Sequence, residues 1–177
     1  MAKKSVKGTG KGLNFQRYFT KEGVNVYDLF TYEKRTSVIR NPAGDAVFEM
    51  KDVEVPASWS QVATDILAQK YFRKAGVPKP DGSTGSENSI KQVAHRMAGC
   101  WKSWGERYDY FASKEDASVF YDELVYAIVG QLAAPNSPQW FNTGLYSSYG
   151  IAGKPQGHYF VDPLTEKLEK STSAYER

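Results

Sequence analysis

The sequence predicts a mainly α fold with small β-hairpins, an α+β chain, on three observations. Three segments carry apolar residues at steps of three and four, two shorter segments sit around turn-forming residues, and Pro- and Gly-rich stretches separate them. At 177 residues, 41% of them hydrophobic, the chain is the size of one domain with one core. Its 23 basic and 20 acidic residues leave a net charge of +3, which gives no strongly basic surface and no expectation of a specific nucleic-acid partner. One cysteine excludes an internal disulfide, and no apolar run is long enough to cross a bilayer, so a cytoplasmic, non-membrane location is expected. The N-terminal lysines lack the apolar segment of a secretory signal.

Residues 1–12 form an expected flexible basic tail, and residues 13–177 a single helical domain. The tail holds Lys3, Lys4, Lys7, Lys11 and three glycines, with almost nothing to bury. Phe15, Tyr18, Phe19, Tyr27, Phe30 and Tyr32 follow without helical period, which predicts a segment wrapped over a neighbouring surface by aromatic anchors. Ser37-Val38-Ile39-Arg40 and Ala46-Val47-Phe48-Glu49-Met50 flank the turn-rich Asn41-Pro42-Ala43-Gly44-Asp45 and predict a hairpin whose second strand extends towards Pro56.

Ser58 and Gln61 have capping-box spacing, so a first helix is expected from Ser58, with Val62, Ala63, Ile66, Leu67 and Tyr71 as its buried stripe and Gly76 as its close. Residues 77–85 read as an irregular surface loop, and they lack the Gly-Lys-Ser/Thr ending of a phosphate-binding loop. A second helix is expected from Ser86 and Glu87 to about Trp104, buried through Ile90, Val93, Ala94, Met97, Trp101 and Trp104. His95 lies off that stripe and His158 is isolated, so neither has a partner at metal-ligand spacing. Cys100 has no neighbouring base and reads as a structural thiol. Ser113 and Asp116 open a third helix, with Ala117, Phe120, Tyr121, Leu124, Ile128, Gln131 and Leu132 as its inner face. Glu115, Asp116, Asp122 and Glu123 fit a helix's first turn and its solvent face better than a catalytic pair.

The third helix delivers the chain to Ala134-Pro135-Asn136-Ser137-Pro138-Gln139-Trp140-Phe141-Asn142-Thr143-Gly144. The two prolines are expected to stop the helix and turn the chain, placing amide and hydroxyl groups beside two large aromatics. On residue chemistry alone, a loop pinned by Trp140 and Phe141 competes with a pocket wall and is the stronger of the two readings. Gly157-His158-Tyr159-Phe160-Val161 then reads as a strand and residues 162–166 as a turn, a second hairpin. Residues 167–177 are polar, with no closing apolar element, as in an unfinished domain.

Val38-Ile39-Arg40-Asn41, Phe48-Glu49-Met50-Lys51-Asp52-Val53-Glu54-Val55-Pro56, Trp59-Ser60-Gln61, Glu87-Asn88-Ser89, Tyr110-Phe111-Ala112 and above all Asn136-Ser137-Pro138-Gln139-Trp140-Phe141-Asn142 resemble, in order and spacing, the N-terminal part of adenosylcobalamin-dependent class II ribonucleotide reductases. The similarity covers residues 19–175. It implies a helical N-terminal region lacking the ten-stranded catalytic barrel, which would be its partner. In that family a cobalt–carbon bond supplies a radical, one cysteine forms a thiyl and two more supply electrons. A chain with one cysteine cannot do this alone, so no catalytic residue and no bound cofactor are expected here, and adenosylcobalamin belongs to the complete enzyme. The resemblance also implies that Ser137 contacts the ribonucleotide substrate, with Asn136, Gln139 and Asn142 adding contacts or orienting the loop. Aromatics meant for the barrel would leave an apolar patch at Trp140 and Phe141. The competing class is a non-catalytic module that binds a protein or single-stranded nucleic acid through its Tyr and Trp side chains; oligonucleotide affinity at two salt concentrations separates the two.

Overall fold

The computed structural model describes residues 12–162 and 164–172 of the chain. The expected tail, except Gly12, therefore lies outside the described residues. In order come β1 (Tyr32–Arg40), β2 (Ala46–Pro56), α1 (Gln61–Ile66), β3 (Val77–Pro78), β4 (Thr84–Gly85), α2 (Ile90–Arg107), α3 (Lys114–Val129), α4 (Ser137–Asn142), α5 (Leu145–Tyr149), β5 (Tyr159–Val161) and β6 (Leu168–Lys170). The strands form three separate antiparallel pairs, β1 with β2, β3 with β4 and β5 with β6. The α+β reading with small hairpins holds.

The β1–β2 ribbon is the hairpin expected from the Asn41–Asp45 turn, and β2 does run to Pro56. Between the Arg35–Val53 and Ser37–Met50 pairs β2 carries one extra residue, and Asp52 takes φ +56° there, a left-handed conformation that Asp tolerates better than most residues. The base of the ribbon enters the core through Val53 and Val55, both fully buried. It is fastened to α2 because Glu54 N–H donates to Asn88 C=O at 2.8 Å, while the Glu54 carboxylate takes the Ser89 hydroxyl and the Lys91 ammonium.

Helix α1 starts two residues later than expected. Ser60, not Ser58, is the cap, accepting from Ala63 N–H at 3.1 Å, and Gln61 sends its side chain to Thr36 C=O on the neighbouring strand. Residues Leu67–Tyr71 continue as one wider π turn, which shifts the rotational phase. The expected stripe is corrected ahead of that turn: Val62 and Ile66 are exposed, while Thr64, whose hydroxyl accepts from Arg35, is buried together with Leu67 and Ala68. The helical run ends at Tyr71, so Gly76 does not close it. Residues 77–85 are not wholly irregular, since β3 and β4 pair there.

Helix α2 runs through the centre of the molecule. It begins at Ile90, not at Ser86 or Glu87: the Ser89 hydroxyl accepts from Lys91 N–H, and Gln92 answers by accepting the Ser89 N–H. Ile90, Val93, Ala94 and Met97 are fully buried, whereas Trp101 and Trp104 are only half-buried. Helix α3, capped by Ser113 as expected, packs along it through Ala117, Val125, Ile128 and Val129. Its end is Val129 with Gly130 as cap, so the helix stops before Pro135 and leaves Leu132 exposed, outside the core face assigned to it. Trp59 ties the ribbon end to this terminus by donating its indole N–H to Val129 C=O at 2.8 Å.

The aromatic N-terminal segment wraps over α3 as expected, and the helix's acidic residues are what hold it. Arg17 pairs with Asp122 at 2.7 Å, Asp116 accepts Phe15 N–H at 2.8 Å, and Glu123 accepts the N–H groups of Tyr18, Phe19 and Thr20. Asp116 sits in the first turn as expected, but the mid-helix Asp122 and Glu123 are clasps and not the solvent-facing charges expected of them.

Candidate functional site

The proline-bounded stretch folds as a short helix and not as a loop. Asn136 caps α4, Ser137 is its first residue, and Pro138 sits in the first turn, where a missing N–H costs no helical hydrogen bond. The prolines thus start a helix here; what ends the preceding one is Gly130 followed by Gln131 at φ +56°.

One face of α4 is bolted to the core. Trp140 is buried, donates its indole N–H to Pro135 C=O at 2.8 Å, and packs its ring 5.3 Å from that of Tyr71. The expected exposed patch is therefore halved, because Phe141 alone of the two stays exposed, also 5.3 Å from Tyr71. Beneath α4 lies a group that sequence reasoning missed. The Arg96 guanidinium donates to Trp140 C=O at 2.6 Å, Thr143 C=O at 2.8 Å and Tyr71 C=O at 3.3 Å, while its Nε donates to Glu87 at 2.8 Å. Glu87 in turn accepts Arg73 N–H and the Tyr149 hydroxyl, each at 2.8 Å. Burial and the Glu87 charge both push the Tyr149 phenol up, so it remains a proton donor. A signal was present: Ser89, Val93, Arg96 and Cys100 share one row of α2, and all four are buried.

Gly144 closes the site. It takes φ +81°, and a Cβ there would stand 2.0 Å from Arg96 C=O, so only glycine allows the turn into α5. Cys100 lies nearby, buried as expected, and burial pushes its thiol above the ordinary range, which disfavours the nucleophilic thiolate.

The polar residues of α4 stay accessible around this anchor. Asn136, Ser137 and Asn142 are exposed and Gln139 half-buried. Ser137 Oγ shares a 3.2 Å hydrogen bond with Tyr71 Oη, and Gln139 Oε1 accepts the Thr143 hydroxyl. The structure thus brings Ser137, Gln139 and Asn142 onto one short helix with Asn136 at its N-cap position. Beside them a groove of about 230 Å³ lies between α1, the end of α3 and Trp140, lined by Trp59, Ile66, Leu67, Tyr71, Ala133 and Trp140 among others. His95 is remote from this site, sharing a 2.7 Å hydrogen bond with the Tyr121 hydroxyl. Among the described residues, no three His, Cys, Asp or Glu side chains are placed to hold a metal ion, and no helix is long and apolar enough to cross a membrane.

The class this fold and motif define is given by comparison. The family described as class II vitamin B12-dependent ribonucleotide reductase matches residues 33–131, more than half of the chain, and the chain belongs to that family. The vitamin B12-dependent ribonucleotide reductases of Agrobacterium fabrum and Bradyrhizobium diazoefficiens are each 48% identical over 93% of the chain, and that of Streptomyces clavuligerus is 42% identical over 80%. The chain spans only 14–15% of the length of these relatives, and corresponds to their N-terminal part.

Among the described residues, neither of two clefts fits the family's cofactor. The 230 Å³ groove is too small for a corrin macrocycle, and the larger cleft, about 580 Å³ between β2 and the β3–β4 hairpin, is walled by Glu49, Lys51, Asp52, Lys79 and two prolines, with no axial ligand for cobalt.

Proposed function

We propose that this chain supplies scaffold and one wall of the substrate pocket in a ribonucleotide reductase that converts ribonucleotides to deoxyribonucleotides by radical chemistry. The observation that carries this reading is that α4 is anchored from beneath while its polar residues stay accessible. Its backbone is gripped by a fully buried arginine, and Asn136, Ser137 and Asn142 are exposed. Such a helix holds polar groups in fixed positions without consuming them. Ser137 has one exposed hydroxyl partner, Tyr71, and exchanging it for a ribose or phosphate oxygen of the nucleotide leaves no buried group unpaired. Asn136 and Asn142 add amide contacts from either end of the helix, and Gln139, engaged by Thr143, holds the turn.

Residues 13–177 act as one domain completed by the catalytic barrel, which holds adenosylcobalamin and the reacting cysteines. The chain by itself is inactive, because Cys100 is its one thiol and is buried. The assembled enzyme works in the cytoplasm, supplying deoxyribonucleotides for DNA replication. The test is a graft of this chain in place of the matching segment of the Agrobacterium fabrum relative. Adenosylcobalamin-dependent nucleotide reduction is expected from the graft and none from the isolated chain; turnover by the isolated chain overturns the reading.

A further inference from the structure

The groove beside α4 has no role in the contacts described so far. It is walled by Trp59, Ile66, Leu67, Tyr71, Ala133 and Trp140, with Gln131 as the one amide on its rim and no charged side chain lining it. Its edges are apolar and open: Ile66 is 43% exposed, and Phe141, whose ring lies tilted 5.3 Å from that of Tyr71, is 44% exposed. We propose that this groove is the seat of an apolar segment of the remaining reductase polypeptide, and that the barrel portion docks there. This rests on the pocket-wall reading above and says where the facing wall attaches.

Three features select that occupant. The absence of charge lining the groove disfavours nucleic acid and acidic peptides, whose recognition uses Lys and Arg. The chain matches 15% of the length of its Agrobacterium relative, so most of that polypeptide is available to cover this face. The third feature is continuity. Trp140 forms a wall of the groove and Ser137 lies one turn away on the same helix, hydrogen-bonded to groove residue Tyr71. A pocket wall needs a facing body, and whatever faces Ser137 passes over Tyr71 and reaches the groove. Seating an apolar segment there excludes water from Trp59, Ile66 and Tyr71 while fixing the distance between the two walls.

Thiol labelling tests the proposal. Ala133→Cys and, as a control on the far end of the β1–β2 ribbon, Val47→Cys are each made with Cys100→Ala, in the isolated chain and in the graft. Ala133 and Val47 are both exposed in the isolated chain, so a maleimide is expected to modify both there. In the graft, labelling at position 133 is expected to slow by about tenfold or more, while position 47 is unchanged. Full labelling at position 133 in a graft that reduces nucleotides overturns the docking site and leaves the pocket-wall reading standing. Protection at position 133 in an inactive graft supports docking and counts against the pocket-wall reading. Protection in the isolated chain that grows with its concentration assigns the groove to a second copy and overturns the proposal. If the graft does not fold, hydrogen exchange decides: the segment of the full-length Agrobacterium relative that aligns with residues 131–141 must exchange more slowly than in the isolated chain, and equal exchange overturns it.

Discussion

Glu87 and Arg96 form an ion pair at 2.8 Å in which both side chains are entirely shielded from solvent. Two charges removed from water are tolerated only where every remaining hydrogen-bonding position is met, and here three carbonyls, one amide and one phenol do so. The pair thereby joins the residues after the π turn, α2, α4 and α5 at a single point. Arg96→Met leaves the Glu87 carboxylate buried without its counter-charge, and a loss of about 3–5 kcal/mol in urea unfolding is expected. Adding Glu87→Gln to Arg96→Met recovers part of that loss; a double variant as unstable as the sum of its singles would refute the coupling.

Gly144→Ala is expected to be as damaging as a core truncation, about 2 kcal/mol or more, because it combines a positive φ with a 2.0 Å approach to Arg96 C=O. Gly150→Ala, also at positive φ but with open space around its Cβ position, costs about 1 kcal/mol. Equal losses in thermal unfolding would show that the close approach at Gly144 is relieved cheaply.

The N-terminal wrap is expected to loosen in acid before the core does. The Ser113 hydroxyl and then Phe15 N–H hold the Asp116 carboxyl below its usual range. Burial pushes Glu123 up, but the Thr20 hydroxyl and the N–H groups of residues 18–20 outweigh it, and the net direction is down. A folded pKa below the unfolded one gives stability that is complete above the unfolded value, about 4, and is lost as pH falls through the folded value. Protection from hydrogen exchange across residues 13–20 should therefore fall below about pH 4 while α2 stays protected. Glu123→Gln should weaken the wrap at neutral pH and flatten its acid response.

Ser137→Ala is expected to change stability by less than about 0.5 kcal/mol, since the one hydrogen bond lost is exposed. In the active graft the same substitution should raise KM by about fivefold with kcat held, the signature of a lost contact of about 1 kcal/mol made equally in ground and transition states. Tyr71→Phe frees Ser137 without removing its hydroxyl and should leave KM near that of the unaltered graft. Unchanged kinetics for Ser137→Ala would reduce α4 to scaffold.

Sequence patterns were most informative where local chemistry decides. Asn41–Asp45 forces the β1–β2 turn, Ser113 caps α3, and the second hairpin, β5–β6, stands where alternation and turn residues placed it. They failed where partners distant in sequence decide. Capping-box spacing points to Ser58, yet Ser60 is the cap, where Arg35 donates to Trp59 C=O and the Thr64 hydroxyl and fixes the chain between strand and helix. In α1 the polar Thr64 is buried and the apolar Val62 and Ile66 are exposed, because the face turned inward is the one that Arg35 of the neighbouring strand engages. At the site, the motif string located the four polar residues, but a charged pair beneath them is invisible to a rule that places Arg and Glu outside.

Arg17 finds Asp122 across 105 positions of sequence. During synthesis at about 5–20 residues per second, the segment around Arg17 waits about 5–20 s before the helix that receives it has been made. Phe15, Phe19 and their neighbours must remain unaggregated through that interval, and the charged groups at Arg17, Lys21 and Glu22 stand among them. The wrap is thus made long before the helix it is stitched to.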